Sequence, residues 1–203
     1  MSPCETCDRA AIRDLVENWV LWRDAGDWDR FRTLWHDDGR MSATWTQATV
    51  DEFIAGSRAA QAKGLNVIHF LGGQSIDLAG DRAISQTKMT ISQRGMLEGV
   101  LCDVVCVGRF YDFLDRRDGR WGLVFRQPIY EKDRADAVDP REHPALDRVK
   151  LATFPEGYRH LAYLQTQAGM TVSMDMPGRL GAAVERLYAR GKAWLAGNVL
   201  SEG

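Results

Sequence analysis

Three side chains in this chain have types and surroundings that suit a reactive site: Asp24 and His69 for proton transfer, and Arg126 for orienting a ligand. Asp24 ends the apolar-faced stretch from Ala10 and opens a crowded turn of Arg23, Asp24, Gly26, Asp27 and Asp29. A carboxylate at that point is delivered to the edge of a core, where burial tunes its pKa. His69 sits inside the apolar run VIHFL, where an imidazole costs desolvation unless it has a partner. Arg126 lies in WGLVFRQPIYE, and a guanidinium on an apolar strand needs either a buried acid or a polar cavity. Tyr111, Tyr130 and Trp45 are aromatic candidates for a cavity wall, where a phenol donates a hydrogen bond to a developing oxyanion. Taken alone, Asp24 also fits a solvated turn residue, His69 a satisfied core histidine, and Arg126 a structural salt bridge.

The elements that must position these groups follow from periodicity. Ile12, Leu15, Val16, Trp19 and Trp22 recur at helical spacing and predict a first helix. Asp27 is a plausible N-cap for a second helix, with Phe31, Leu34 and Trp35 inward. A short strand is predicted from Gly39 to Trp45. Thr49 and Glu52 form a capping box for a third helix, which runs to Gly64. From Leu65 the period changes to two, with strands predicted from Leu65 to Gly73, Ala83 to Gln93 and Gly99 to Leu114. Gly80-Asp81, Arg94-Gly95 and Asp118-Gly119 are read as the turns, the last leading to a final strand with Trp121, Val124 and Ile129. Helices followed by a run of antiparallel strands give an α+β layout.

The opening stretch resembles the SnoaL-like branch of the NTF2-like superfamily, which includes scytalone dehydratase, hexachlorocyclohexane dehydrochlorinase and polyketide cyclases. Ala10-Ala11-Ile12, Asp24 twelve residues after Ile12, and Trp35-His36-Asp37-Asp38 closing the second helix carry the resemblance. It implies an NTF2-like cone: three N-terminal helices over a strongly bent antiparallel sheet, with an internal pocket. It also implies that His69, followed by Gly72-Gly73, faces that pocket and pairs with Asp24, leaving one ring nitrogen free to abstract a proton. Arg126 then lines the pocket. Trp19 stands where the dehydrochlorinase pattern has a lysine and Met41 where it has a tryptophan, so both are expected to contact substrate. Loss of the lysine counts against halide departure, and the aromatic residues suit a flat, ring-bearing substrate.

The domain is expected to span residues 1–133, because EKDRADAVDPREHP reads as an exposed connector. Residues 134–203 form a linker and helical extension. Tyr158, Leu161, Ala162 and Gln165 make one apolar-faced helix, and Leu180, Ala183, Val184, Leu187, Tyr188, Gly191, Trp194 and Leu195 a second. Their stripes pack on the sheet, cover the pocket mouth or join a neighbouring subunit.

Composition narrows the function. The 203 residues are 45% hydrophobic and 27% charged with net charge -2, and the pI near 6.1 offers no basic field for nucleic acid or anionic membrane. No apolar run approaches the roughly 18 to 20 residues that span a bilayer, and MSPCETCDRA lacks a signal-peptide pattern. A cytoplasmic protein is expected. Cys4 and Cys7 have C-x-x-C spacing, but a zinc site would need Cys102 and Cys106 to converge with them, and reduced thiols are expected. His36, Asp37 and Asp38 are adjacent and do not converge on one ion. No nucleotide-binding, nucleophile-elbow or HExxH motif is present.

The expectation is a lyase with no cofactor and no metal, acting on an aromatic or polycyclic small molecule with loss of water or a carbon fragment. Dehydrohalogenation, isomerisation and cyclisation are related chemistries. The rivals are a non-catalytic NTF2-like module that binds a ligand or protein, and a small subunit of a ring-hydroxylating oxygenase. A homo-oligomer is expected in every case, with the catalytic relatives suggesting a trimer.

Overall fold

The computed structural model describes residues 4–200. Helix α1 (Glu5–Ala25) buries Ile12, Leu15, Val16 and Trp19 as the spacing predicted, with Val20 buried where Trp22 was expected and Trp22 only half-buried, and stops at Gly26, whose φ of 71° only glycine adopts readily. Asp27 caps α2 (Trp28–Arg32) by accepting from the Arg30 amide. The second helix is shorter than expected. Trp35-His36-Asp37-Asp38 does not close it but opens strand β1 (Trp35–Ala43), because Trp35 pairs with Leu123 nearly ninety residues away. A hairpin strand β2 (Thr46–Thr49) follows, and the Thr49–Glu52 capping box starts α3 (Val50–Ala62).

Four long strands make the body of the sheet: β3 (Asn66–Ala79), β4 (Arg82–Leu97), β5 (Val100–Arg117) and β6 (Arg120–Ala137). Their order is β2-β1-β6-β5-β4-β3. All neighbours are antiparallel except β1 and β6, which run parallel, so the sheet is mixed rather than wholly antiparallel. It is strongly curled and does not close on itself. Arg94 and Gly95 lie inside β4 instead of forming a turn. Arg94 is forked to Asp103 of β5 at 2.8 and 2.7 Å, and the chain reverses at Glu98-Gly99, both with left-handed φ (47° and 83°). Asp118-Gly119 reverses the chain as predicted, with φ 51° and 78°.

The charged run after Tyr130 also departs from expectation, for β6 continues to Ala137. Its alternation of exposed and half-buried residues is that of a strand with one solvated face, and Cys106 to Cys102 of β5 pair with it as far as Ala137. Cys102 and Cys106 are free and buried in β5.

Two cores lie on opposite faces of the sheet. The larger joins α1, α2 and α3 to the inner face; the smaller packs Ile84, Tyr111, Phe113, Val124 and Ile129 against Val184, Leu187 and Trp194 on the outer face. The extension serves both. Helix α4 (Arg148–Thr153) and a 3-10 turn (Glu156–Tyr158) lead to α5 (Arg159–Gln167), which closes the inner core; α6 (Ala182–Leu195) covers the outer face. Leu180 precedes α6 and is exposed, outside the stripe where its spacing had placed it. Asp133 anchors α5, accepting from the backbone of His160 and Leu161 at 2.6 and 2.9 Å and from His160 Nδ1 at 2.8 Å.

Candidate active site

Asp24 lies in the last turn of α1, where a carboxylate opposes the negative end of the helix dipole. Its other interactions outweigh that cost. Asp24 Oδ1 is 2.8 Å from His69 Nδ1, and Oδ2 accepts from the His69 backbone N–H at 2.6 Å. Ring and main chain of one residue are thus held by both oxygens of one carboxylate. Burial pushes the Asp24 carboxyl up, but the hydrogen bonds and charge of His69, with the charge of Arg23, hold it below its ordinary range. An ionised Asp24 requires Nδ1 to carry the proton, which leaves Nε2 as the acceptor.

The His69 pKa is lowered, chiefly by burial, against the opposing pull of Asp24; the positive charges of Arg23 and Arg126 lower it further. The imidazole is therefore neutral at pH 7, the form a general base requires. Trp19 meets it edge-on at 5.5 Å between ring centroids, and Phe110 lies 6.1 Å away.

His69 lines a cavity of about 140 Å³ enclosed between the inner sheet face and α1, α3 and α5. Trp19, Met41 and Tyr130 line it too, together with Arg23 and Trp45. Burial pushes the Tyr130 phenol far up, so it stays protonated; it shares a hydrogen bond with Thr44.

Two of the sequence candidates stand elsewhere. Tyr111 projects from the outer face of β5 into the small core, packed on Phe113 and Tyr188 at 5.5 and 5.4 Å, with its phenol pushed up to about 12 by burial. Strand alternation explains this: Phe110 takes the cavity side, so its neighbour faces away. Arg126 is fully buried and forked to Asp112 at 2.6 and 2.8 Å, directly across the β5–β6 register. Its guanidinium lies behind the cavity wall, 4.4 Å from the Trp19 ring and 4.1 Å from Phe110. Arg126 acts on the site through its charge and its packing, not as a lining residue.

The sequence reading missed Arg23, Ser57, Gln93, Gln165 and Thr44. Arg23 donates to Asp24 Oδ1 at 3.2 Å and to the Val67 carbonyl at 3.0 Å, tying α1 to β3 beside the site. The buried Thr44 hydroxyl donates to Gln165 Oε1 at 2.7 Å, and Gln165 Nε2 donates to Gln93 Oε1 at 3.2 Å. A glutamine within the apolar stripe of Tyr158, Leu161 and Ala162 was the one signal in the sequence. Among the described residues, no group of three or more His, Cys, Asp or Glu side chains is placed to hold a metal ion.

A model of the SnoaL-like domain matches residues 5–127 of this sequence. The chain belongs to the SnoaL-like family. As an NTF2-like protein it is similar in fold to the hexachlorocyclohexane dehydrochlorinase LinA type 2, with 15% identity and a TM-score of 0.54 over 70% of this chain and 97% of that one. A candidate scytalone dehydratase from Novosphingobium aromaticivorans gives 17% identity and a TM-score of 0.51 over 70% and 95%. Lyases are thus among the structural neighbours of this SnoaL-like chain. In sequence it is 35% identical to the pea pathogenicity protein 2 of Fusarium vanettenii, over 94% of this chain and 86% of that protein. An uncharacterized protein of Emericella nidulans is also 35% identical, over 94% and 87%. Coverage of that extent carries the likeness into the helical extension, beyond the family match. No helix among the described residues is long and apolar enough to cross a membrane.

Proposed function

We propose that this SnoaL-like protein is a cofactor-independent lyase in which His69 Nε2 is the general base and Asp24 its orienting partner. One observation carries the reading: a histidine on a cavity wall, its Nδ1 2.8 Å from a carboxylate that also grips its backbone N–H. The carboxylate fixes the tautomer and stabilises the imidazolium that forms when Nε2 takes a proton. In a dehydration, the C–H bond breaks toward Nε2 and its electron pair becomes the new double bond as the C–O bond breaks. The departing hydroxide takes the proton back from Nε2 as water, and the imidazole is neutral again. Loss of a carbon fragment uses the same base on a hydroxyl proton.

The cavity supports a substrate with one ring. Its volume of about 140 Å³ is close to that of a cavity that holds benzene, smaller than the polycyclic substrates of the sequence reading require. Water or a carbon fragment suits the site better than halide as the leaving group. No lysine lines the cavity, and Arg23 is engaged by Asp24 and the Val67 carbonyl.

Self-association belongs to the same proposal. Ile68 and Phe70 are 51% and 75% exposed on the terminal strand β3, an apolar edge suited to a second copy, with a trimer as the expected assembly.

The assay is a panel of single-ring hydroxy-ketones, aryl diols and halides, read by new conjugation absorbance and by released formaldehyde or halide. Turnover in the native protein and a loss of at least about 100-fold in a folded His69→Ala variant are expected. Full activity in that variant would overturn the assignment.

A further inference from the structure

Hydrogen bonding at the polar end of the cavity has a direction. Thr44 donates to the oxygen of the Gln165 amide, which fixes that amide's nitrogen toward Gln93; Gln165 Nε2 then donates to Gln93 Oε1. A carboxamide whose oxygen is so engaged has only its N–H groups left to offer. The Gln93 amide nitrogen makes no hydrogen bond with any described residue, yet Gln93 is 3% exposed and lines the cavity. That nitrogen is not among the sealed side-chain atoms that lack a partner, so it reaches the open space of the cavity, where a ligand that supplies an acceptor is preferred to one that cannot.

The sheet sets where this donor stands. His69 pairs with Ile91 across β3 and β4, and Gln93 is the next residue along β4 on the same inner face. Diagonal neighbours of this kind are about 7–8 Å apart at their backbones. That is the width of one substituted ring, so base and donor can engage the same small molecule at different atoms.

We infer that Gln93, oriented by Gln165 and Thr44, is the substrate's carbonyl-binding group, and that the lyase of the preceding proposal, on which this rests, acts on a neutral single-ring ketone. As His69 Nε2 removes the proton next to the carbonyl, the C–H electron pair moves into an enolate whose oxygen gains charge against the Gln93 amide. When that pair re-forms the carbonyl, the neighbouring C=C bond forms and the β-hydroxyl leaves, protonated by His69. Gln93 is in contact with substrate, whereas Gln165 and Thr44 are positioning residues. Gln165 comes from α5, outside the matched family segment at 5–127, so the extension completes the site. The Thr44–Gln165–Gln93 array is itself uncharged, which suits a neutral carbonyl oxygen.

The test compares two probes of nearly equal shape, acetophenone and α-methylstyrene, by titration calorimetry. Native protein is expected to bind the ketone about tenfold more tightly, the scale of one buried hydrogen bond. Gln93→Leu and Gln165→Leu should each reduce that ratio toward one while still binding the hydrocarbon, and His69→Ala should leave it intact. The native protein's Gln93 side-chain amide NMR signals should shift with acetophenone and not with α-methylstyrene. That readout stands even where a leucine variant fails to fold, and a merely structural glutamine would not show it. Equal binding of the two probes, a ratio unchanged in the leucine variants, or its loss in His69→Ala would overturn the inference. Because binding is read apart from turnover, the ketone preference stands or falls separately from the assignment of His69 as base.

Discussion

At the scale of single residues, the chemistry depends on how burial and one carboxylate divide control of His69. Burial lowers its pKa and Asp24 raises it, with burial prevailing. The acid limb of kcat/KM should therefore fall below the ordinary histidine value of about 6.5, with activity retained from there upward. A limb above that value would contradict the geometry. The same shift bears on stability. The folded state disfavours the imidazolium, so His69 contributes stability above pH of about 6.5 that is lost as pH falls from there through the lowered folded value. Urea midpoints between pH 7.5 and 5 should drop more in the native protein than in His69→Ala. Asp24→Asn keeps the shape of the pair but removes the charge that holds Nδ1–H. It should lower turnover by about 10²- to 10⁴-fold with little change in KM for a neutral substrate, measured by steady-state kinetics.

At the scale of elements, α6 sits on the sheet through a close approach at one glycine. A Cβ at Gly191 would lie 1.9 Å from Tyr111 Oη, so a side chain there requires the buried Tyr111 ring or the helix to shift. Gly191→Ala should cost about 1–3 kcal/mol by urea unfolding, and Tyr111→Phe, which removes the nearest atom but leaves Cζ at 2.9 Å, should recover part of that loss in the double variant. Additive losses would show that the contact does not set the docking distance. Elements also separate what was legible in the sequence from what was not. The α1 stripe, the Thr49–Glu52 box and the Asp118-Gly119 turn were readable because each rests on residues within a few positions of one another. Trp35, Gly95 and the run after Tyr130 were misread because distant partners override their local pattern. Leu123 draws Trp35 into a strand, Asp103 straightens the chain at Arg94, and β5 extends β6.

Across the whole molecule, the curled sheet divides the extension between its two faces. Leu161 and Leu164 of α5 are each nearly fully buried, contributing roughly 1.5–3 kcal/mol apiece, and Leu161 lines the cavity that α1 and α3 leave open. The outer face is covered by α6 only in part, and Ile68 and Phe70 remain in solvent on β3. Light scattering should therefore report a mass above the 22.8 kDa of one chain, and Phe70→Asp should lower it toward a single copy with the fold preserved. A native monomer would remove that part of the proposal.

The sequence alone determined the α+β class, the family pattern and the two residues, Asp24 and His69, that the fold brings to hydrogen-bond distance. Helical periodicity, capping and the motif around Ile12 and Asp24 are all written in local spacing. Tertiary structure decided which face each strand residue takes and what it meets there. It turned Tyr111 outward, locked Arg126 onto Asp112, and joined Gln93 to Gln165 across seventy residues of chain. These are matters of sheet register and the burial of distant polar groups against one another, and register is settled only when the strands and helices have packed.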